Sequence, residues 1–181
     1  MATINDCQYI SLKDFLYLKK EKGLSGGILE SPFGLLTVRA LGSSICGLGF
    51  LNVSTLHNYH SNIFDDAYRP DEMICQDVMN RMTNDQPFSI ILSGTPFQHQ
   101  VWKELQNIKK GQVVSYRDLA LRLGNKNKVR AVASAVGKNP LAWIVPCHRV
   151  VPQKKGIGQY YWGSGIKELL LNSEGYIRIA G

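Results

Sequence analysis

Between Thr95 and Gly137 the chain is punctuated so closely that no helix in it can be long. Thr95 can cap a helix, Pro96 suits its first position, and Gln98 completes a capping box. Phe97, Val101, Trp102 and Leu105 then recur at helical spacing. Gly111 ends that unit, Val113-Val114 is a short extended step, and Ser115 with Asp118 opens a second helix that stops at Gly124. Asn127 is placed to cap a third helix, Lys128 to Val136, with Gly137 at its end. Helices this short are not stable alone in water, so they must pack on one another. The expectation is a compact, mostly helical domain over 95–181. Its second and third helices, joined by the turn Gly124–Asn127, form a helix-turn-helix candidate.

The preceding half has a different period. Gly27–Leu51 reads as three strands in succession, with Ser31-Pro32-Phe33-Gly34 as the turn between the first two. Asp71–Met82 has helical spacing, and Phe88–Leu92 is a strand candidate. Ser11–Lys22 is compatible with helix or strand. Residues 1–94 are therefore expected to form a small α/β domain, so the chain as a whole falls in the α+β class.

Charge divides along the same line. Residues 1–94 hold 7 basic and 10 acidic side chains, whereas 95–181 hold 14 and 4. A positive field confined to one half points to a polyanion, with nucleic acid first. No apolar run approaches a membrane span, and Met1–Asp14 lacks the pattern of a secretory signal. An intracellular monomer is expected, in the cytoplasm or, in a eukaryote, the nucleus, with no membrane partner. Cys7, Cys46 and Cys75 are widely spaced and read as small buried hydrophobes. A zinc site combining them with His57 or His60 is the less favoured alternative, and no metal or other cofactor is expected.

The third helix carries small residues, Ala131, Ala133, Ser134, Ala135 and Gly137, flanked by Lys126, Lys128, Arg130 and Lys138. Such a face lets backbone approach a groove while cations meet phosphates. Beyond it, Ile144-Val145 and Val150-Val151 are β-prone pairs that bracket Pro146-Cys147-His148-Arg149. Proline breaks a ladder, so Cys147 is expected at a bend. A histidine and an arginine beside it, in the basic half, would favour the thiolate, the nucleophilic form.

Pro146-Cys-His-Arg-Val150, with Asn139 eight residues before the cysteine, resembles the active-site signature of the O6-alkylguanine-DNA alkyltransferases. The likeness extends over Ser31–Gly34, Thr95–Trp102, Gly111–Tyr116, Arg130–Val132, Lys167–Leu170 and Glu174-Gly175, in order. It implies an RNase H-like N-terminal domain and a winged helix-turn-helix-like C-terminal domain carrying the active cysteine. It also implies direct reversal of DNA damage. Alkylated guanine, with alkylated thymine as an alternative substrate, is flipped from double-stranded DNA and gives its alkyl group irreversibly to Cys147. By the same resemblance, His148 oriented by Glu174 acts as base through a water, and Tyr116 donates to guanine N3. Arg130 fills the gap in the stack, and the recognition helix enters the minor groove. Asn139 holds the turn before the cysteine, and Val150, Tyr160, Trp162 and Ala142 belong to the pocket.

Two positions depart from some relatives, in which glycine replaces Trp162 and proline replaces Ala142. Residues 1–24 precede the family's first strand and are expected to form an extension packed on the N-terminal domain. A non-catalytic alkylated-DNA-binding protein and a helix-turn-helix regulator stay open as alternatives.

Overall fold

The computed structural model describes residues 4–51, 68–153 and 156–176. His57 and His60 lie outside them. The chain divides into two compact units, Met1–Thr95 and Pro96–Gly181.

Among the described residues the first unit is built on a six-stranded mixed sheet, in the order β1 (Ile4–Ile10), β6 (Phe88–Ser93), β4 (Ser44–Phe50), β3 (Gly34–Leu41), β2 (Leu24–Ser31) and β5 (Tyr68–Pro70). Its central meander is β2 (Leu24–Ser31), β3 (Gly34–Leu41) and β4 (Ser44–Phe50). The first turn closes where Ser31 Oγ donates to Gly34 O at 2.6 Å and accepts from Phe33 N–H. β5 (Tyr68–Pro70) leads into α2 (Glu72–Thr83), which starts where the Asp71 carboxylate accepts from Ile74 N–H at 3.0 Å. β6 (Phe88–Ser93) then enters the sheet beside β4.

Residues 4–10 are not an extension packed on this domain but a strand of its sheet, and a helix packed on the core follows them. β1 (Ile4–Ile10) pairs in parallel with β6, from Ile4 opposite Phe88 to Ile10 opposite Ser93. The ambiguous segment is helix α1 (Leu12–Lys22), because Ser11 and Asp14 form an N-terminal cap at 3.1 Å. Phe15 and Leu18 pack inward against Leu24, Leu41, Cys46 and Ile91.

The second unit contains four helices among the described residues. They are α3 (Pro96–Gln106), α4 (Tyr116–Arg122), α5 (Val129–Gly137) and α6 (Ser164–Ser173). α3 begins at the proline, and its Val101, Trp102 and Leu105 are buried. Trp102 Nε1 donates to Ala135 O at 2.8 Å, which ties α3 to α5. Each large apolar side chain removed from water in this way contributes about 1.5–3 kcal/mol. Ser115 caps α4 with Asp118 as the reciprocal partner, and Gly124, at φ 80°, follows its end.

The third helix begins later than its sequence suggests. Asn127 does not cap it but lies inside a 3-10 turn over Lys126–Lys128 that Asn125 caps, and α5 then starts at Val129 with no side-chain cap. Gly137 is the last residue of α5 and does not take the left-handed conformation; Lys138 follows at φ −91°. Ile144-Val145 lies in a turn rather than a strand, because Val145 N–H donates back to Leu141 O at 2.9 Å. Val150-Val151 is extended, and as β8 it pairs in parallel with β7 (Val114–Ser115).

Candidate active site

Asn139 organises the segment from α5 to the cysteine. Its Nδ2 lies within donating distance of three acceptors: Leu141 O at 3.1 Å, Val145 O at 2.9 Å and Cys147 Sγ at 3.1 Å. Its Oδ1 accepts from Leu141 N–H at 3.0 Å. One buried amide thus closes the turn and touches the sulfur. Trp143 within this turn is held at φ 67°, a region L-residues rarely adopt. Cys147 itself opens a 3-10 turn through Arg149, at the bend expected after Pro146.

The sulfur lies in the wall of a cavity of about 300 Å³, together with Tyr116, Asn139, Tyr160 and Trp162. Tyr160 Oη is 3.6 Å from Sγ. Ala133 and Gly137 bring α5 to the same cavity. Tyr161 and Trp162 meet edge to face, with ring centroids 4.7 Å apart.

Behind the cysteine is a buried network. Glu174, just past α6, accepts from Arg149 Nε at 2.8 Å and from Arg149 Nη2 at 2.6 Å, and it lies 3.0 Å from His148 Nε2. Arg149 Nη1 donates to Ile108 O at 2.5 Å. The loop supplying that carbonyl is set by Gly111, whose φ of 76° excludes most residues and where a Cβ would sit 3.0 Å from Glu174 O. Burial alone would raise the Glu174 carboxyl, but hydrogen bonds and charge from His148 and Arg149 outweigh it and bring it down to about 2. Burial lowers His148, so its ring is neutral at pH 7. An ionised carboxylate can only accept, so Nε2 carries the proton and Nδ1 the lone pair. Nδ1 is buried without a hydrogen-bond partner among the described residues.

The thiol does not follow the expectation from its neighbours. Burial raises Cys147 above the usual range, against the opposing pull of Asn139, Tyr160 and Lys167. The arginine beside it gives its charge to Glu174, and the histidine is neutral, so neither holds a resting thiolate. Burial likewise raises the phenols of Tyr116 and Tyr160, with the Cys147 charge adding to it, so both stay protonated donors.

Sequence reasoning assigned no role to Lys167. Its ammonium is fully buried, donates to Val150 O at 2.7 Å and Gln159 O at 3.5 Å, and lies 5.9 Å from the centroid of the Tyr160 ring. Burial lowers it to about 8. The available signal was a lysine on the apolar side of α6, three residues before Leu170.

Several expected site residues lie elsewhere. Ala142 is fully buried and does not line the cavity, because the turn closed by Asn139 points it into the core. Val150 is also buried outside the cavity, and its carbonyl serves Lys167. Ala135 faces Trp102 rather than solvent, since the helical period places Val132, Ala135 and Val136 inward. Arg130, Ala131, Ser134 and Gly137 are exposed on α5. Lys128 belongs to the preceding 3-10 turn, with its ammonium 5.5 Å from the Phe97 ring centroid. The buried Cys46 and Cys75 are free thiols, and no group of three or more metal-ligating side chains occurs among the described residues. No described helix is long and apolar enough to cross a membrane.

Residues 96–176 match the family model described as 6-O-methylguanine DNA methyltransferase, DNA binding domain. The methylated-DNA–protein-cysteine methyltransferase of Saccharomyces cerevisiae is 46% identical over 88 residues, covering 49% of this chain and 46% of the relative. That of Shigella flexneri is 48% identical over 84 residues, covering 46% and 49%. The chain thus matches about half the length of these curated relatives. The solved structures extend the likeness across both units. Mycobacterium tuberculosis OGT in complex with DNA superposes with a TM-score of 0.70 at 31% identity, covering 83% of this chain and 93% of that one. The O6-methylguanine-DNA methyltransferase of Pyrococcus kodakaraensis superposes at 0.61 with 27% identity, covering 84% and 99%. With the signature cysteine at the wall of its cavity and the fold shared over nearly all of a solved relative, the chain belongs to the 6-O-methylguanine DNA methyltransferase family.

Proposed function

We propose that this protein repairs alkylated double-stranded DNA by moving the alkyl group from guanine O6 onto Cys147 Sγ, once per molecule. The observation that carries this reading is the placement of Cys147 Sγ in a cavity shared with two protonated tyrosines and the small-residue end of α5. O4-alkylthymine is the alternative substrate of the same chemistry. As the reaction proceeds, the S–C bond forms while the C–O6 bond breaks, and the electron pair returns to the guanine ring. A thiolate is soft enough for displacement at an alkyl carbon. His148 Nδ1 takes the thiol proton through a water, and Glu174 stabilises the imidazolium. Tyr116 hydrogen-bonds guanine N3 as charge develops on the ring, and Tyr160 faces O6. The thiol proton ends on the released guanine. No group in the site can cleave the resulting thioether, so the protein is consumed.

The DNA-facing part of this reading rests on α4, its turn and α5 as a helix-turn-helix pair, with α5 in the minor groove. The exposed Ala131, Ser134 and Gly137 admit close backbone approach, and Arg130 enters the stack as the damaged base leaves. Extrusion costs roughly a few kcal/mol, less for a damaged pair.

The experiment is intact mass after mixing with duplex DNA containing O6-methylguanine. A gain of one methyl group per chain, mapped to Cys147 and absent in Cys147→Ser, is the expected result. DNA binding without a mass change would assign the protein to damage recognition instead.

A further inference from the structure

Strand β2 is paired with β3 along one side from Ser25 to Ser31, but with β5 on the other side only over Leu24–Gly26. At Pro70 the chain leaves that line. Asp71 N–H donates to Gly26 O at 2.8 Å, and its carboxylate turns the chain into α2. Beyond this point the outer edge of Gly27–Ser31 makes no ladder bond with any described residue. Beside the edge is a groove of about 470 Å³, bounded by Gly26–Glu30 of β2 and by Cys75, Gln76 and Met79 of α2. Its depth is fixed by close packing, since a Cβ on Gly27 would come within 2.9 Å of Cys75 Sγ.

We propose that this edge is a strand-addition site for an extended segment of a partner protein, one in which apolar residues alternate with basic ones. This backbone, unpaired among the described residues, supplies the main-chain bonds of such a complex, continuing the line that β5 abandons. Alternate side chains of the added strand then meet different surfaces. On the side of α2 they meet Leu29, Cys75 and Met79, which are apolar. On the other side they meet Ile28, 52% exposed, and the exposed Glu30, while the exposed Glu72 of the first turn of α2 also lines the groove. The groove has carboxylates from Glu30, Asp71 and Glu72, and among the described residues no lysine or arginine lines it. Asp71 is committed to capping α2, which leaves Glu30 and Glu72 to meet a partner's cations. A second copy of the same edge is the wrong partner, because pairing would bring like carboxylates together.

The test uses the full chain, labelled with ¹⁵N, and two blocked heptapeptides, one alternating valine with arginine and the other valine with glutamate. The arginine peptide is expected to shift the amides of Gly27–Ser31 and slow their hydrogen exchange, binding at least tenfold more tightly than the glutamate peptide. Glu30→Lys with Glu72→Lys should reverse that preference, while methyl transfer to Cys147 stays unchanged. The proposal is overturned if neither peptide moves these amides at millimolar concentration, or if charge reversal leaves the preference intact. A concentration-dependent dimer protecting the same amides would also overturn it, by making a second copy the occupant.

Discussion

The carboxylate of Glu174 lies 3.0 Å from Nε2 of His148, and this contact decides which nitrogen of the ring is basic. Arg149 fixes the carboxylate from the side, at both oxygens, so the ring is oriented by a group that is itself clamped. The arginine of the Pro146–Arg149 motif therefore serves the histidine rather than the sulfur.

Glu174→Gln is expected to slow methyl transfer at pH 7 by about a hundred-fold, the lower end of the range for a misplaced acid-base group. The neutral amide stabilises an imidazolium less well, so the thiol proton is harder to remove. Raising the pH should recover part of the rate as solvent base takes the proton directly. A pH–rate profile of the variant parallel to that of the natural protein would exclude the His148–Glu174 relay.

The same network sets acid stability. Glu174 is held at about 2 against an ordinary value of 4.5, so the unfolded chain binds this proton first. Its contribution is present above pH 4.5 and is lost as pH falls through the window to about 2, with an upper bound of about 3 kcal/mol that solvent screening reduces. His148, lowered by burial from 6.5, acts in the same direction, since the unfolded ring gains its proton at a higher pH than the folded one. Denaturant midpoints measured from pH 7 to pH 2 should fall as these groups protonate. In Glu174→Gln the loss between pH 4.5 and 2 should be shallower, although the variant starts less stable because Arg149 is left buried without its anion. An equally steep loss in both proteins would remove Glu174 from this account.

How much of this was legible in the sequence depended on the range of each contact. Local signals were clear: Ser115 with Asp118 marks the start of α4, and Pro146 marks the bend at Cys147. The start of α5 was misplaced because Asn127 reads as a cap by type, yet it lies inside a 3-10 turn capped by Asn125, and α5 follows at Val129 with no side-chain cap. Strand β1 was missed because its partner β6 lies some eighty residues away and Ile4–Ile10 has no strict alternation. The electrostatics were least legible. Arg149 read as a cation beside the thiol, but the carboxylate that claims it is 25 residues on, and the pairing of that carboxylate with His148 came only with the family resemblance.

Arg130 is exposed on α5 and is not among the hydrogen-bond partners of the network around the sulfur. Arg130→Ala should slow repair of O6-methylguanine in duplex DNA by roughly ten- to a hundred-fold, from losing stacking support of ~1–3 kcal/mol. Transfer from the free methylated base, which needs no extrusion, should change little. Single-turnover rates on both substrates separate the two steps, and equal slowing on both would place Arg130 outside base extrusion.

The size of adduct that the pocket accepts should be set by Trp162. Its side chain lines the cavity, and Tyr161, itself 65% exposed, meets it edge to face at 4.7 Å. An aromatic pair of this kind is worth about 0.5–1.5 kcal/mol beyond its buried area, enough to bias the indole toward one position. An indole fills volume that glycine would leave open, so methyl adducts fit where a benzyl ring meets an obstruction. Ala142 was the other expected determinant, but it lies in the core outside the cavity and has no part in this barrier. The natural protein should therefore be inactivated slowly by free O6-benzylguanine while it repairs O6-methylguanine in DNA readily. Trp162→Gly alone should raise the inactivation rate about ten- to a hundred-fold, the equivalent of relieving ~1–3 kcal/mol. Tyr161→Ala should give a smaller gain, because it frees the indole without removing it. Second-order inactivation rates for the three proteins, alongside methyl repair as a control for folding, decide the matter. If natural protein and Trp162→Gly react equally fast with the benzyl compound, the indole does not gate the pocket.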